Sequence, residues 1–161
     1  MFREIRRQER VLNESRVQEL LHKGEYGVLS TTSIDGCAYG IPMSYVYENG
    51  AIYFHCAMDG HKVDNIIAYP LVSFCIVGNT KVLPEAFSTC YESVIVFGVI
   101  EIVKIDEEKS NALRLIVKKY SPGFEFEGNT YIEKALHKTR VLKLIVKRIT
   151  GKGKTRKDFK G

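Results

Sequence analysis

The sequence predicts a mainly β domain, an antiparallel barrel of six or seven strands with helical additions. Three observations lead there. Asp35-Gly36 and Asn49-Gly50 are hairpin turn signals, each flanked by β-branched and aromatic residues. Gly98 stands in the middle of the long β-rich run "ESVIVFGVIEIVKI" and marks a bend or bulge of the kind barrel closure needs. The apolar runs follow one another as hairpins instead of alternating with helices, which argues against a doubly wound sheet.

In chain order, "LNESRVQELLHKG" (Leu12–Gly24) reads as a helix. Asn13 or Ser15 can cap it, Val17, Leu20 and Leu21 form its apolar stripe, and Gly24 can end it. Three strands follow at about 26–33, 37–47 and 51–57. Pro42 lies inside the second and implies an edge or a bulge where pairing is interrupted. "GHKVDNIIAYP" fits a short helix over 61–69, with Val63, Ile66 and Ile67 on one face and Pro70 as its stop. "LVSFCIVG" is apolar throughout, as in a strand buried on both faces. After the Gly98 strand, a helix spans "DEEKSNALRLIVKKYSP", with Asp106 as its cap and Pro122 beyond its end. A weaker helix covers about 130–138, and "RVLKLIVKRI" is the last strand.

The chain has 161 residues, which suits one domain, and it can bury roughly 70% of its unfolded surface. No apolar run approaches the roughly 20 residues a membrane helix needs, and the charged N-terminus is not followed by the apolar run of a signal peptide. The four cysteines, Cys37, Cys56, Cys75 and Cys90, show no close pairing, and three of them lie in strand-like apolar runs. They read as buried, reduced thiols in a cytoplasmic protein, without disulfide or zinc. The net charge of +5 is unevenly spread: residues 147–161 hold seven Lys or Arg against one Asp, which leaves the rest at −1. The expected organisation is one domain over 1–148 and a basic, flexible tail over 149–161. A basic tail can touch nucleic acid, but the near-neutral body shows no interleaving of basic and aromatic residues, so a nucleic-acid partner is not expected.

The chemistry concentrates in "YFHCAMDGHKVDNI". Gly60-His61-Lys62 falls where a strand hands over to a helix. A helix N-terminus carries free N–H groups and a positive dipole end, glycine lets a ligand approach the backbone, and His and Lys add donors and charge. The competing view is a glycine loop with a solvated lysine. His55 and His61 stand six apart, a spacing without helical or strand logic for a metal, and none is expected. His22 and His137 read as surface residues on helices, and Tyr45 and Tyr91 as core or interface aromatics.

Over residues 1–148 the chain resembles the FMN-binding split-barrel superfamily of the pyridoxamine-phosphate oxidase, and within it the nitroimidazole-resistance (Nim-like) branch. The segments that carry the resemblance run from "GVLSTTSIDGCAYGIPMSYVYENGAIYFHCAMDGHKVDNIIAYPLVSFCIVG" to "CYESVIVFGVIEIV". It implies a split barrel and a homodimer with FMN at the interface. It gives the phosphate to Gly60, His61 and Lys62, with His61 where the oxidase branch usually has Arg; an imidazole can still donate, but its charge depends on pH. It places the backbone of Ile41, Pro42, Met43 and Ser44 along the flavin ring, His55 and Cys56 beside it, and Ser93 at the ribityl-phosphate arm. The bare residues leave Pro42 as an edge marker, His55 as a satisfied barrel histidine and Ser93 as a turn cap. The oxidase's clamp for phosphopyridoxal uses Arg and Trp near the C-terminus; this chain has no Trp, so vitamin B6 oxidation is not expected. The implied activity is an FMN-dependent oxidoreductase acting on a small molecule, with nitroimidazole or nitroaromatic reduction as its specific form and His55 as the catalytic proton donor. The alternative is a barrel that holds flavin or haem without turnover.

Overall fold

The computed structural model describes residues 3–155. It contains seven strands, β1 (Tyr26–Thr32), β2 (Ala38–Ser44), β3 (Val46–Glu48), β4 (Ala51–Cys56), β5 (Leu71–Leu83), β6 (Ser88–Ile102) and β7 (Arg140–Lys154). Four helices join them, α1 (Glu14–Lys23), α2 (His61–Ala68), α3 (Asp106–Tyr120) and α4 (Glu125–Ala135). All pairings are antiparallel, in the order β2-β1-β5-β6-β7-β4-β3. β2 and β3 stand at opposite ends of that order, yet only Tyr45 separates them in the chain. One run of residues therefore pairs with β1 through its first half and with β4 through its second, which closes the sheet into a barrel. Among the described residues no helix is long and apolar enough to cross a membrane.

The transfer between ladders sits at Tyr45, three residues beyond the expected interruption. Pro42 lies in register opposite Val28, so pairing is not interrupted there; it is tolerated because β2 is the end strand on that side of the sheet, the edge position expected of it. Tyr45 has no ladder partner, and α3 supplies what the ladder would have given. The Tyr120 hydroxyl accepts the Tyr45 N–H at 2.8 Å, and Lys119 Nζ donates to the Tyr45 carbonyl at 3.0 Å. The ammonium also lies 3.9 Å from the centre of the Tyr45 ring. The Tyr45 side chain is fully buried, donates to the Leu21 carbonyl at 2.8 Å and meets Phe74 edge-on at 4.9 Å.

The main core gathers Leu29, Ile52, Phe54, Phe74, Ile76, Val96 and Leu144 from the strands with Val17, Leu20 and Leu21 from α1. A second cluster of Val103, Leu113, Ile132 and Val141 lies where α3 and α4 cover β4 and β7. Asn13 caps α1 by accepting from the Arg16 N–H at 2.8 Å, and Gly24 ends it. Asn49 and Gly50 both adopt positive φ, the conformation a tight two-residue hairpin turn requires. The predicted bulge is present: Phe97 pairs with Arg148 and Gly98 with Val146, which leaves Lys147 as the extra residue.

Several expectations need correction. β7 continues to Lys154, so 149–154 belongs to the barrel; the rest of the expected tail, from 156 on, lies outside the described residues. The glycines that suggest mobility are there for close packing. A Cβ on Gly151 would stand 2.4 Å from Val17, and the Gly151 carbonyl accepts the Leu12 N–H. α4 begins at Glu125, not near 130, because Gly128 weakens the helical pattern while permitting α4 to approach Val117. Asp106 opens α3 without a capping bond, Ile105 being the cap. On α2 it is Asn65, with Val63 and Ile66, that is buried, and Ile67 is exposed. β5 alternates in burial, with Leu71 and Val77 exposed, so it is not buried on both faces. Of the cysteines, Cys37 is exposed and the other three are half-buried; all four are free thiols.

Candidate functional site

The Gly60-His61-Lys62 corner is built by three elements, α2, the turn after β1, and β2. Gly60, with φ of 121°, is the N-cap of α2, a conformation that a side chain would strain. Its carbonyl accepts from Val63 and Asp64, so the first amides of the helix, those of His61 and Lys62, have no partner from the preceding turn. The turn after β1 supplies Ser33, whose Oγ lies 3.0 Å from His61 Nε2. β2 supplies Tyr39, whose ring is 4.5 Å from the imidazole.

Beneath the corner, Asn65 Nδ2 donates to Thr31 Oγ1 at 3.0 Å, and that hydroxyl donates to the Tyr39 carbonyl at 3.3 Å. Thr31, Ser33 and Asn65 are the buried polar residues among the described ones, and all three stand here. Buried polar groups have a cost unless bonded, so this concentration fixes the positions of β1, β2 and α2 relative to one another. None of the three stood out in the sequence, although Asn65 follows His61 by one helical turn.

β7 contributes the residue that sequence reasoning missed most clearly. Arg140 pairs with Cys56 across the β4–β7 ladder. Burial pushes the Cys56 thiol up, while nearby Lys62 and Arg140 both pull it down, so the two cations converge on the end of β4. Both are half-buried, and neither side chain makes an ion pair or hydrogen bond among the described residues. Two cations without side-chain partners beside free helix amides are an arrangement that suits a multiply charged anion. Strand register, which places Arg140 84 positions from Cys56 in the chain, carries no local signal.

The remaining expected residues distribute more widely. Ile41 and Met43 pack against the main core, while Pro42 and Ser44 alternate to the exposed side of β2. Ser44 lies at the far end of β2 from Tyr39, beside Tyr120. Ser93 is on β6, opposite Val77 and Lys152, and the strand order puts β1 and β5 between it and β2. His55 and Cys56 take opposite faces of β4: Cys56 packs against the main core, and His55 faces α3 and α4. Desolvation by those helices holds the His55 pKa below its ordinary value. The side chain of His55 is thus not brought together with the Lys62 corner.

A family model for pyridoxamine 5'-phosphate oxidase matches residues 13–153. No curated protein sequence matches. Solved structures share the fold. A candidate 5-nitroimidazole antibiotic resistance protein from Bacteroides thetaiotaomicron is 23% identical, with a TM-score of 0.75 over 89% of this chain and 86% of that one. A conserved hypothetical protein from Mycobacterium tuberculosis is 19% identical, with a TM-score of 0.80 over 93% and 90%. An FAD and haem binding protein from Mycobacterium smegmatis is 17% identical, with a TM-score of 0.76 over 91% and 76%. With the family model spanning nearly the whole barrel and the expected sheet in place, this chain belongs to the pyridoxamine 5'-phosphate oxidase family.

Proposed function

We propose that the protein binds FMN and uses it as a flavin-dependent oxidoreductase of a small molecule, with nitroimidazoles and other nitroaromatics as the substrate class. The observation that carries this reading is the pair of half-buried, unpaired cations, Lys62 and Arg140, beside the first amides of α2. Gly60, His61, Lys62 and Arg140 would hold the phosphate, and the exposed edge of β2 at Ile41, Pro42, Met43 and Ser44 would run along the ring. Bound flavin supplies the electron chemistry; this chain's part is to grip the anion and present a half-apolar strand edge to the ring. Ser93 lies away from the corner within one chain, which supports a homodimer in which a second copy brings it to the ribityl-phosphate arm. The absence of tryptophan speaks against oxidation of a vitamin B6 phosphate.

A second reading, a barrel that holds flavin or haem without turnover, has support from the likeness to the Mycobacterium smegmatis protein, described as binding FAD and haem. One set of spectra separates the readings. Purified protein with added FMN should show a flavin absorption spectrum that is lost on gel filtration of Lys62→Ala. Reduction by NAD(P)H and reoxidation by a nitroimidazole then marks an enzyme. A flavin spectrum without turnover marks a carrier, and a Soret band with no response to FMN sinks the flavin reading.

A further inference from the structure

A cavity of about 190 Å³ lies under α3 and α4 on the outer face of β4. Its walls are Leu113, Ile116, Val117, Ile132 and Ala135, with His55 at the sheet side. Thr139, also at the wall, is already satisfied, since its hydroxyl donates to the Ala135 carbonyl at 2.9 Å. The imidazole of His55 has no hydrogen-bond partner among the described residues and is exposed at the rim of the cavity. Tyr131, 72% exposed, stands at the mouth and is the only other lining residue with an uncommitted polar group among the described residues.

We propose that this cavity is a binding site for a small, flat aromatic molecule that carries one hydrogen-bonding hydroxyl or ring nitrogen, held by His55. Size and lining choose the ligand class. An apolar cavity of about 150 Å³ suffices for benzene, so 190 Å³ accommodates a single substituted ring. Apolar walls with a single convergent polar group are the usual makeup of such sites. Desolvation favours the neutral imidazole, which offers one donor and one acceptor and suits an uncharged partner. The inference does not rest on the flavin reading, because His55 and Cys56 project from opposite faces of β4.

The test uses phenol and toluene, two ligands of similar size that differ in the hydroxyl, titrated into the full-length protein while the histidine ring signals are followed by NMR. Phenol should shift the His55 signals saturably and bind more tightly than toluene. His55→Phe should weaken phenol about fivefold, the worth of one hydrogen bond, and leave toluene unchanged. Ala135→Leu should fill the cavity and weaken both, with an unchanged circular dichroism spectrum as the check on folding. Three results would overturn the proposal: shifts that stay linear in phenol, an equal effect of His55→Phe on both ligands, or displacement of phenol by FMN. The last would put the phenol in the flavin site. Loss of FMN binding in Lys62→Ala with phenol binding retained would separate the two sites.

Discussion

Ser33 Oγ and His61 Nε2 lie 3.0 Å apart, so the turn that ends β1 holds the first side chain of α2 in place. The bond fixes the imidazole against Tyr39 and sets where its other nitrogen points. Ser33→Ala should weaken FMN about fivefold through lost positioning of a single hydrogen-bonding group, with little change in melting temperature. Quenching of flavin fluorescence on titration measures it; an unchanged affinity would remove His61 from the anion site.

Lys62 and Arg140 should act on the phosphate and not on the ring. Lys62→Ala and Arg140→Ala are each expected to weaken FMN by about 10- to 100-fold, the worth of a charge-assisted hydrogen bond, and to leave riboflavin nearly unaffected. The ratio of the two affinities is the readout. Equal losses for both flavins would mean that the variants had disturbed the barrel.

Gly98 tests the close approach at the bulge. An added Cβ would stand 2.1 Å from the Ile145 carbonyl oxygen, which belongs to the backbone and cannot swing away. Gly98→Ala should destabilise by about 3 kcal/mol, the upper end for overpacking, read from urea unfolding. A loss under about 1 kcal/mol would show that β7 yields there.

Lys119 predicts a pH dependence. Burial pulls its pKa down to about 8 from an ordinary 10.5, so the folded protein releases this proton before the unfolded chain does. Below pH 8 both states are charged and the cost of burying the ammonium is fully present. Between about pH 8 and 10.5 the unfolded state binds more protons, and the contribution of Lys119 to stability rises with pH. Discounted for partial exposure, the rise is about 1–2 kcal/mol. Tyr45 and Tyr120 have raised pKa values, so the stability they contribute as neutral phenols is lost only at still higher pH. The difference in unfolding free energy between wild type and Lys119→Met, measured at pH 7.5 and 9.5, should therefore increase; a flat difference would mean that the amine is solvated.

The features legible in the sequence are those set by a few adjacent residues. Asn13, Asn49-Gly50, Gly60 and Gly98 each announce a cap, a turn, a helix start or a bulge because the constraint is local. The corner at Gly60-His61-Lys62 was visible for the same reason. What was not legible depends on partners far along the chain. Arg140 joins the site through register alone. Gly128 and Gly151 look like helix breakers or tail residues until Val117 and Val17 are seen against them. Pro42 marks β2 as an end strand of the order, but the interruption of pairing expected there falls at Tyr45, where Lys119 and Tyr120 take over the backbone groups.

That transfer has a kinetic consequence. The two hairpins that meet at Tyr45 are local and can pair early, but the residues that satisfy its backbone arrive 74 and 75 positions later. Closing so long a loop is entropically costly, and contacts of this separation slow folding. The ring of strands therefore closes late, once α3 has docked on Tyr45 and β7, which follows α3 in the chain, has joined β6 to β4, and a nascent chain that ends before Tyr120 exposes an unzipped seam to chaperones and to other copies of itself.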